Sequence, residues 1–242
     1  MDPFLPRLVG ARRWLQCAPG TVLVSADYTQ VELRMMAHLS GDEALCRQCT
    51  DLEADVFVDL ARQFFALPVG ASVGEDQRGQ AKKVFYGILY GLGRAKLAAE
   101  IGVSETAAAA LTRQVRQQYP QLYRFRDELN RGDRKCTTLF GRVRPLKSDE
   151  LRKAFNSCVQ GSVADLVKLA MVRTDAALRK SGTGATLVHM IHDELLCETP
   201  VGHVDTATRI LREQMLDAVR LRVPLQVRFR RGCSFDAMRV FH

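Results

Sequence analysis

A chain of 242 residues, 47% hydrophobic and 26% charged, can bury a core as one large domain or two modest ones, which excludes disorder over most of its length. Lys+Arg 35 against Asp+Glu 27 leaves a net charge of +8, a basic excess that favours a polyanionic partner, although a merely soluble basic surface has the same balance. No apolar run reaches the length of a membrane span, so no membrane is expected as a partner, and seven scattered cysteines, odd in number, read as reduced thiols of an intracellular protein.

Residues 1–20, with Pro3, Pro6 and the Pro19-Gly20 turn, read as an irregular lead-in. Arg7, Arg12 and Arg13 lie there among apolar residues; a basic surface segment is preferred to a weak organelle-targeting signal. Thr21 to Ala26 is continuous and β-branched, which predicts a buried strand, and Asp27 ends it. Leu33, Met36 and Leu39 then recur at helical spacing, so a helix is predicted from Gln30 to Leu39. Thr29-x-x-Glu32 fits a capping box, which offers Glu32 a purely structural role, and Ser40-Gly41-Asp42 closes the helix.

From Asp42 to Leu67 the apolar positions are helical, with a break near Thr50, and Pro68 to Gly74 is a loop. Cys46-x-x-Cys49 has no second pair to complete a zinc site. Helices are predicted from Gln77 to about Tyr90, Ala95 to Ile101, Ser104 to Tyr119 and Leu122 to Asn130, the last two parted by Pro120. Cys136 to Arg144 is β-like around a Phe140-Gly141 turn and ends in Arg142-Val-Arg144. Leu151 to Arg179 forms one long helical pattern, closed by Ser181-Gly-Thr-Gly184. Short strands at Thr186–Ile191 and Leu195–Cys197 flank His192-Asp193-Glu194. An amphipathic helix follows over Val204–Leu221, then an alternating strand through Val223, Leu225, Val227 and Phe229. The order predicts an α+β fold: an antiparallel sheet faced by helices, built from 1–41 and 132–242, with a helical subdomain over 42–131 inserted.

An ionised acid at the end of a buried strand costs on the order of several kcal/mol unless a cation or donors meet it, so Asp27 needs a partner. His192-Asp193 between extended segments places Asp193 at a hairpin tip, where a plain polar turn is the alternative. If Asp27 and Asp193 end neighbouring strands, their carboxylates converge and call for divalent cations; oxygen ligands with room for water suit two Mg²⁺ ions. Arg78, Lys82, Tyr86 and Tyr90 recur every four residues on one broad helix face, with Gly87 and Gly91 at its far end. Two cations at that spacing repel, and a triphosphate across the face turns repulsion into binding; a solvated basic face with two half-buried tyrosines shows the same pattern. Arg152, Asn156 and Gln160 form a third series, suited to the minor-groove acceptors that every base pair offers, or else an exposed polar stripe.

Together these residues resemble the family A DNA polymerases, the group that includes bacterial polymerase I. Asp27-Tyr-Thr-Gln-Val-Glu32-Leu-Arg34 resembles the family's first palm motif, Arg78-x3-Lys82-x3-Tyr86-Gly-x2-Tyr90-Gly91 its fingers helix, and His192-Asp193-Glu194 its third motif. Arg152-x3-Asn156-x3-Gln160-Gly161 also fits, in family order. Ala37-His-Leu-Ser40, Asp55-Val-Phe57 and Gln160-Gly-Ser-Val-Ala-Asp165 look most similar to the eukaryotic polymerases theta and nu.

The resemblance implies a palm over 1–41 and 132–242, fingers over 42–131, and template-directed addition of deoxynucleotides to a primer 3′ end. It implies that Asp27 and Asp193 hold two Mg²⁺ ions with the Tyr28 carbonyl assisting and Glu194 in support. Arg78 and Lys82, with Gln30 and His192, bind the incoming nucleotide, and Glu32 excludes a ribose 2′-hydroxyl. Tyr86 packs on the sugar and, standing where many members have Phe, implies acceptance of dideoxynucleotides, which primer extension reads directly. Tyr90 and Gly91 meet the template, while Arg152, Asn156, Gln160 and His192 line the primer–template minor groove. The expected partners are primer–template DNA and dNTPs. A thumb and an exonuclease region are expected to be absent, so a thumb- or helicase-bearing partner is a further expectation. The theta relatives carry longer insertions where this sequence has only Ser181-Gly-Thr-Gly184, and the link from Arg144 to Arg152 is short for the family. A theta-like repair or translesion role in the nucleus is expected, or in the mitochondrion. The alternative from another class is a DNA-binding scaffold that needs a thumb-bearing partner; an RNA polymerase or nuclease is disfavoured by Glu32 and Tyr86.

Overall fold

In chain order the elements are β1 (Thr21–Tyr28), α1 (Val31–Ser40), α2 (Glu43–Thr50), α3 (Val56–Phe64), α4 (Glu75–Leu89), α5 (Arg94–Ile101), α6 (Glu105–Gln118), α7 (Pro120–Arg131), β2 (Lys135–Thr137), β3 (Val143–Pro145), α8 (Ala154–Ser181), β4 (Thr186–Ile191), β5 (Glu194–Pro200), α9 (Val204–Leu216), β6 (Val227–Gly232) and β7 (Arg239–Phe241). The computed structural model describes residues 14–68 and 70–241, so the lead-in over 1–13 lies outside them. Among the described residues no helix is long and apolar enough to cross a membrane. The α+β class expected from the element order is the one observed.

The chain divides into two compact units: one of residues up to Val31, Val163–Arg220 and those from Leu225 on, the other of Glu32–Ser162 and Leu221–Pro224. The first unit holds an antiparallel sheet in the order β4-β5-β1-β6-β7. β1 is its central strand, and the run from Leu23 to Ala26 is buried as its continuous apolar pattern requires. α9 packs on β1, β5 and β6. The Tyr28 hydroxyl donates to the Met215 carbonyl of α9 at 2.6 Å, and burial holds that phenol well above its ordinary pKa.

Two expectations for this part of the chain are corrected, and one further strand was not expected. The strand expected over Val223–Phe229 is β6 at Val227–Gly232. β6 is paired on both sides, where Pro224 could not supply a ladder N–H, and the Pro224 carbonyl instead accepts from the buried Arg34 guanidinium at 2.6 Å. α9 stops at Leu216 rather than Leu221, with the carbonyls of Asp217 and Ala218 accepting from Arg173 at 2.9 and 3.3 Å. β7, three residues long, is too short for any periodicity to announce.

The second unit is helical apart from the β2–β3 hairpin. Asp42, fully buried, caps two helices at once. Its carboxylate accepts from the Leu45 N–H of α2 at 3.1 Å and from the Gln121 and Leu122 N–H groups of α7 at 3.0 and 3.1 Å. The hairpin loop seats on α8: Leu139 N–H donates to the Ser162 hydroxyl at 2.8 Å and Arg142 to the Gly161 carbonyl at 3.1 Å. A side chain at Gly161 would meet the Thr138 methyl at 2.9 Å, so this helical glycine is there for close approach. A 3₁₀ segment, Ser148–Lys153, precedes α8, so the expected helix from Leu151 enters through a tighter turn.

The capping box expected at Thr29-x-x-Glu32 is also corrected. α1 begins at Val31, so Thr29 falls one residue outside the cap position and the box is out of register. The intervening Gln30 takes a left-handed backbone, φ 53°, strained for a residue with a Cβ.

Candidate functional site

In the first unit, strand pairing brings the acids together. Asp27 is opposite Glu194 across β1–β5 and opposite Arg228 across β1–β6. β4 and β5 are joined by a two-residue turn, His192-Asp193, with exposed His192 at φ 56°. The Tyr28 N–H donates to the Asp193 carbonyl at 3.3 Å and so ties the hairpin tip to the end of β1. Glu194 accepts from Arg230 at 2.6 Å and Asp27 from Arg228 at 3.4 Å. Burial first, then the negative charges of Asp193 and Glu194, lift the Asp27 carboxyl above its ordinary value, while Arg228 and Arg230 pull it down.

That imbalance is the test of fit for divalent cations. Three carboxylates share one end of a sheet, and the resident arginines only partly offset their repulsion at Asp27. Glu194 is engaged by Arg230 at 2.6 Å and Asp27 more loosely by Arg228 at 3.4 Å; Asp27 and Asp193 offer carboxylate oxygens of the kind Mg²⁺ accepts while keeping water or phosphate oxygens. Among the described residues no group of three or more His, Cys, Asp or Glu side chains is placed to hold a metal by itself. The carboxylates of Asp27 and Asp193 are too few to enclose a cation alone and suit one whose remaining ligands are water or phosphate oxygens.

In the second unit, α4 presents the cations and tyrosines. Arg78 Nε donates to Asp55 at 2.6 Å, and the Arg78 guanidinium and Lys82 ammonium lie 6.0 and 5.8 Å from the centre of the Phe57 ring. Asp55 also caps α3 by accepting from the Phe57 N–H, which places acid and ring together beside α4. Tyr86 and Tyr90 stack at 5.7 Å, and the Tyr90 hydroxyl donates to Glu32 at 2.8 Å. Gly87 of α4 and Gly91 just beyond it have local causes. A Cβ at Gly87 would lie 3.2 Å from the Leu92 side chain, and Gly91 turns the chain at φ 83°.

Tyr86, Tyr90, Gly91, Arg94, Lys96 and Arg152 are among the residues lining a cavity of about 810 Å³ in this unit. Arg152 is exposed in the 3₁₀ turn and Gln160 is exposed on α8. Asn156 carries a buried Oδ1 with no hydrogen-bond partner. The structure thus brings Asp27, Asp193 and Glu194 together in one unit, and Glu32 with Tyr90 and Tyr86 in the other. Sequence reasoning missed Asp55 and Phe57 as partners of the α4 cations, and Arg228 and Arg230 as partners of the acids. The second pair had a signal: arginines two apart on an alternating strand share a face.

The family model described as DNA polymerase family A matches residues 7–237. DNA polymerase I of Chloroflexus aurantiacus is 36% identical over 240 residues, covering 94% of this chain and 25% of that protein. The thermostable DNA polymerase I of Thermus thermophilus is 36% identical over 229 residues, covering 89% of this chain and 27% of that protein. Among solved structures, the POL domain of Pol1 from M. smegmatis, in complex with DNA primer-template and dNTP, matches with a TM-score of 0.86 at 31% identity, covering 93% of this chain and 42% of that one. The chain spans about a quarter of the length of these curated relatives.

Proposed function

The chain belongs to DNA polymerase family A, and from that premise we propose that it adds deoxynucleotides to a primer 3′ end under the direction of a template, with primer–template DNA and dNTPs as its partners. The palm is 1–41 with 132–242 and the fingers 42–131. The observation that carries this reading is the convergence of Asp27 and Asp193 at one end of the sheet, with a charge imbalance that suits divalent cations.

Asp27 and Asp193, with the Tyr28 carbonyl, would hold two Mg²⁺ ions, and Glu194 supports them from its ion pair with Arg230. When bound, these ions supply activation of the primer hydroxyl and stabilisation of charge on the departing phosphate. Arg78 and Lys82 grip the triphosphate, Asp55 fixing the plane of the guanidinium. Tyr86 packs on the sugar. Glu32, held by the Tyr90 hydroxyl, excludes a ribose 2′-hydroxyl. Gln30 and His192 complete the nucleotide contacts. Tyr90 and Gly91 meet the template, and Arg152, Asn156 and Gln160 read minor-groove acceptors without regard to sequence.

Primer extension by this chain with Mg²⁺, set against Asp193→Asn, tests the reading. Extension that the substitution leaves undiminished, in a chain that keeps its circular dichroism, would sink it. Extension that needs an added upstream fragment would favour the scaffold reading, in which a thumb-bearing partner completes the enzyme. The segments Ala37–Ser40, Asp55–Phe57 and Gln160–Asp165 support a theta-like role in repair or translesion synthesis. Stalling opposite an abasic site would count against it. That role belongs in the nucleus, with the mitochondrion as the alternative that imaging of a tagged chain decides.

A further inference from the structure

β6 carries arginines at 228 and 230, two residues apart and therefore on one face of the strand, the face that meets the acids of β1 and β5. Their settings differ. The Arg230–Glu194 pair is short, 2.6 Å, with side chains 28% and 8% exposed, and it is fixed in place. Arg228 stands opposite Asp27 in the strand register but reaches it only at 3.4 Å, with 59% of its own side chain in solvent.

An ion pair so exposed contributes little to stability, because solvent screens it and a long side chain must be held still. Its geometry therefore needs another reason. Asp27 is less exposed, at 23%, and shares its strand end with Asp193 and Glu194. A guanidinium on a flexible stem relieves that crowding and can swing into water when something else takes over.

Resting on the reading of Asp27 and Asp193 as cation ligands, we infer that Arg228 is a resident counter-ion of Asp27, displaced when a divalent cation binds, so that it sets how tightly the site holds that cation. Arg230, by contrast, is committed to Glu194 at 2.6 Å. Neither arginine is a catalytic residue. A resident positive charge beside Asp27 weakens attraction for the cation, and removing it strengthens that attraction, within the limits solvent screening sets.

The test is Mn²⁺ binding at low ionic strength, read by the electron paramagnetic resonance of the free ion, for the unaltered chain, Arg228→Gln, Arg228→Lys and Asp27→Asn. Arg228→Gln is expected to bind Mn²⁺ about three- to tenfold more tightly, a gain that shrinks in added salt. Arg228→Lys, which keeps the charge, is expected to stay close to the unaltered chain. Thermal melts without metal should show all four folded. Unchanged or weaker Mn²⁺ binding in Arg228→Gln, while Asp27→Asn abolishes binding, overturns the counter-ion role and leaves the metal reading standing. Mn²⁺ binding that survives Asp27→Asn overturns the metal reading and this inference with it.

Discussion

Tyr90→Phe removes one hydroxyl from α4 and, with it, the hydrogen bond that holds Glu32 at 2.8 Å. The Tyr90 phenol lies well above its ordinary pKa, first through burial and then through the charge and hydrogen bond of Glu32, so it remains a donor across the working pH range. A hydrogen bond to a charged group is worth about 1.5–3 kcal/mol, and a half-buried Glu32 recovers part of that from water when the donor goes. We therefore expect Tyr90→Phe to destabilise by about 1–2 kcal/mol, after allowance for that rehydration. The ring itself stays, with its stacking on Tyr86 at 5.7 Å and its contact to Phe155 at 6.2 Å, so packing losses are small. Urea denaturation of Tyr90→Phe, Glu32→Gln and the double variant isolates the pair: a coupling energy of about 1 kcal/mol is expected. On the proposed function, the freed Glu32 should also discriminate less well between deoxy- and ribonucleotides in primer extension. Additive single-variant effects, with discrimination unchanged, would refute both the strength of the bond and its gating role.

Two further substitutions test the fold and the charge at the acids. Asp42→Ala strands two buried N–H groups, of Leu45 and Leu122, and the part-buried one of Gln121 at the starts of α2 and α7, and at about 1 kcal/mol or more for each buried group the loss in urea denaturation should be at least about 2 kcal/mol; a loss below about 1 kcal/mol would show that water replaces the carboxylate. Asp27→Asn should raise the melting temperature at pH 7 in EDTA. The folded-state pKa of Asp27 is raised, so its contribution to stability is fully present below the ordinary value of 3.8 and is lost as pH rises through the folded value. The gain should therefore vanish in acid, and a variant that melts lower than the unaltered chain at pH 7 would contradict the sign.

Much of this was legible because periodicity and covalent geometry act locally. The Thr21–Ala26 run, the four-residue spacing on α4 and the apolar flanks of His192-Asp193 each predict an element without reference to the rest of the chain. What stayed hidden was set by contacts distant in sequence. Nothing near Thr29 says that Gln30 will turn left-handed and shift the helix start by one residue. Nothing in Val223–Phe229 says that Pro224 will give its carbonyl to Arg34 and delay the strand to Val227. Asp55 read as part of a family segment, yet its pairing with Arg78 spans 23 residues and depends on how α3 lies against α4.

The same distant contacts explain how the chain carries like charges gathered at one strand end and on one helix face. An isolated buried charge is expensive, and like charges at one strand end or one helix face add repulsion. Each unit answers this with partners of its own, some held firmly and some loosely. In the first, Arg228 and Arg230 attend Asp27 and Glu194. In the second, Asp55 and the Phe57 ring attend Arg78 and Lys82, and the Tyr90 hydroxyl attends Glu32. Affinity for any ligand is then a difference between the new contact and the one it replaces, not the full strength of either. Strong internal pairing would stabilise the fold and close the site, while none would leave the charges too costly to keep. On the proposed counter-ion role, the 3.4 Å contact of Arg228, beside the 2.6 Å contact of Arg230, is where the chain holds a charge loosely enough to give it up.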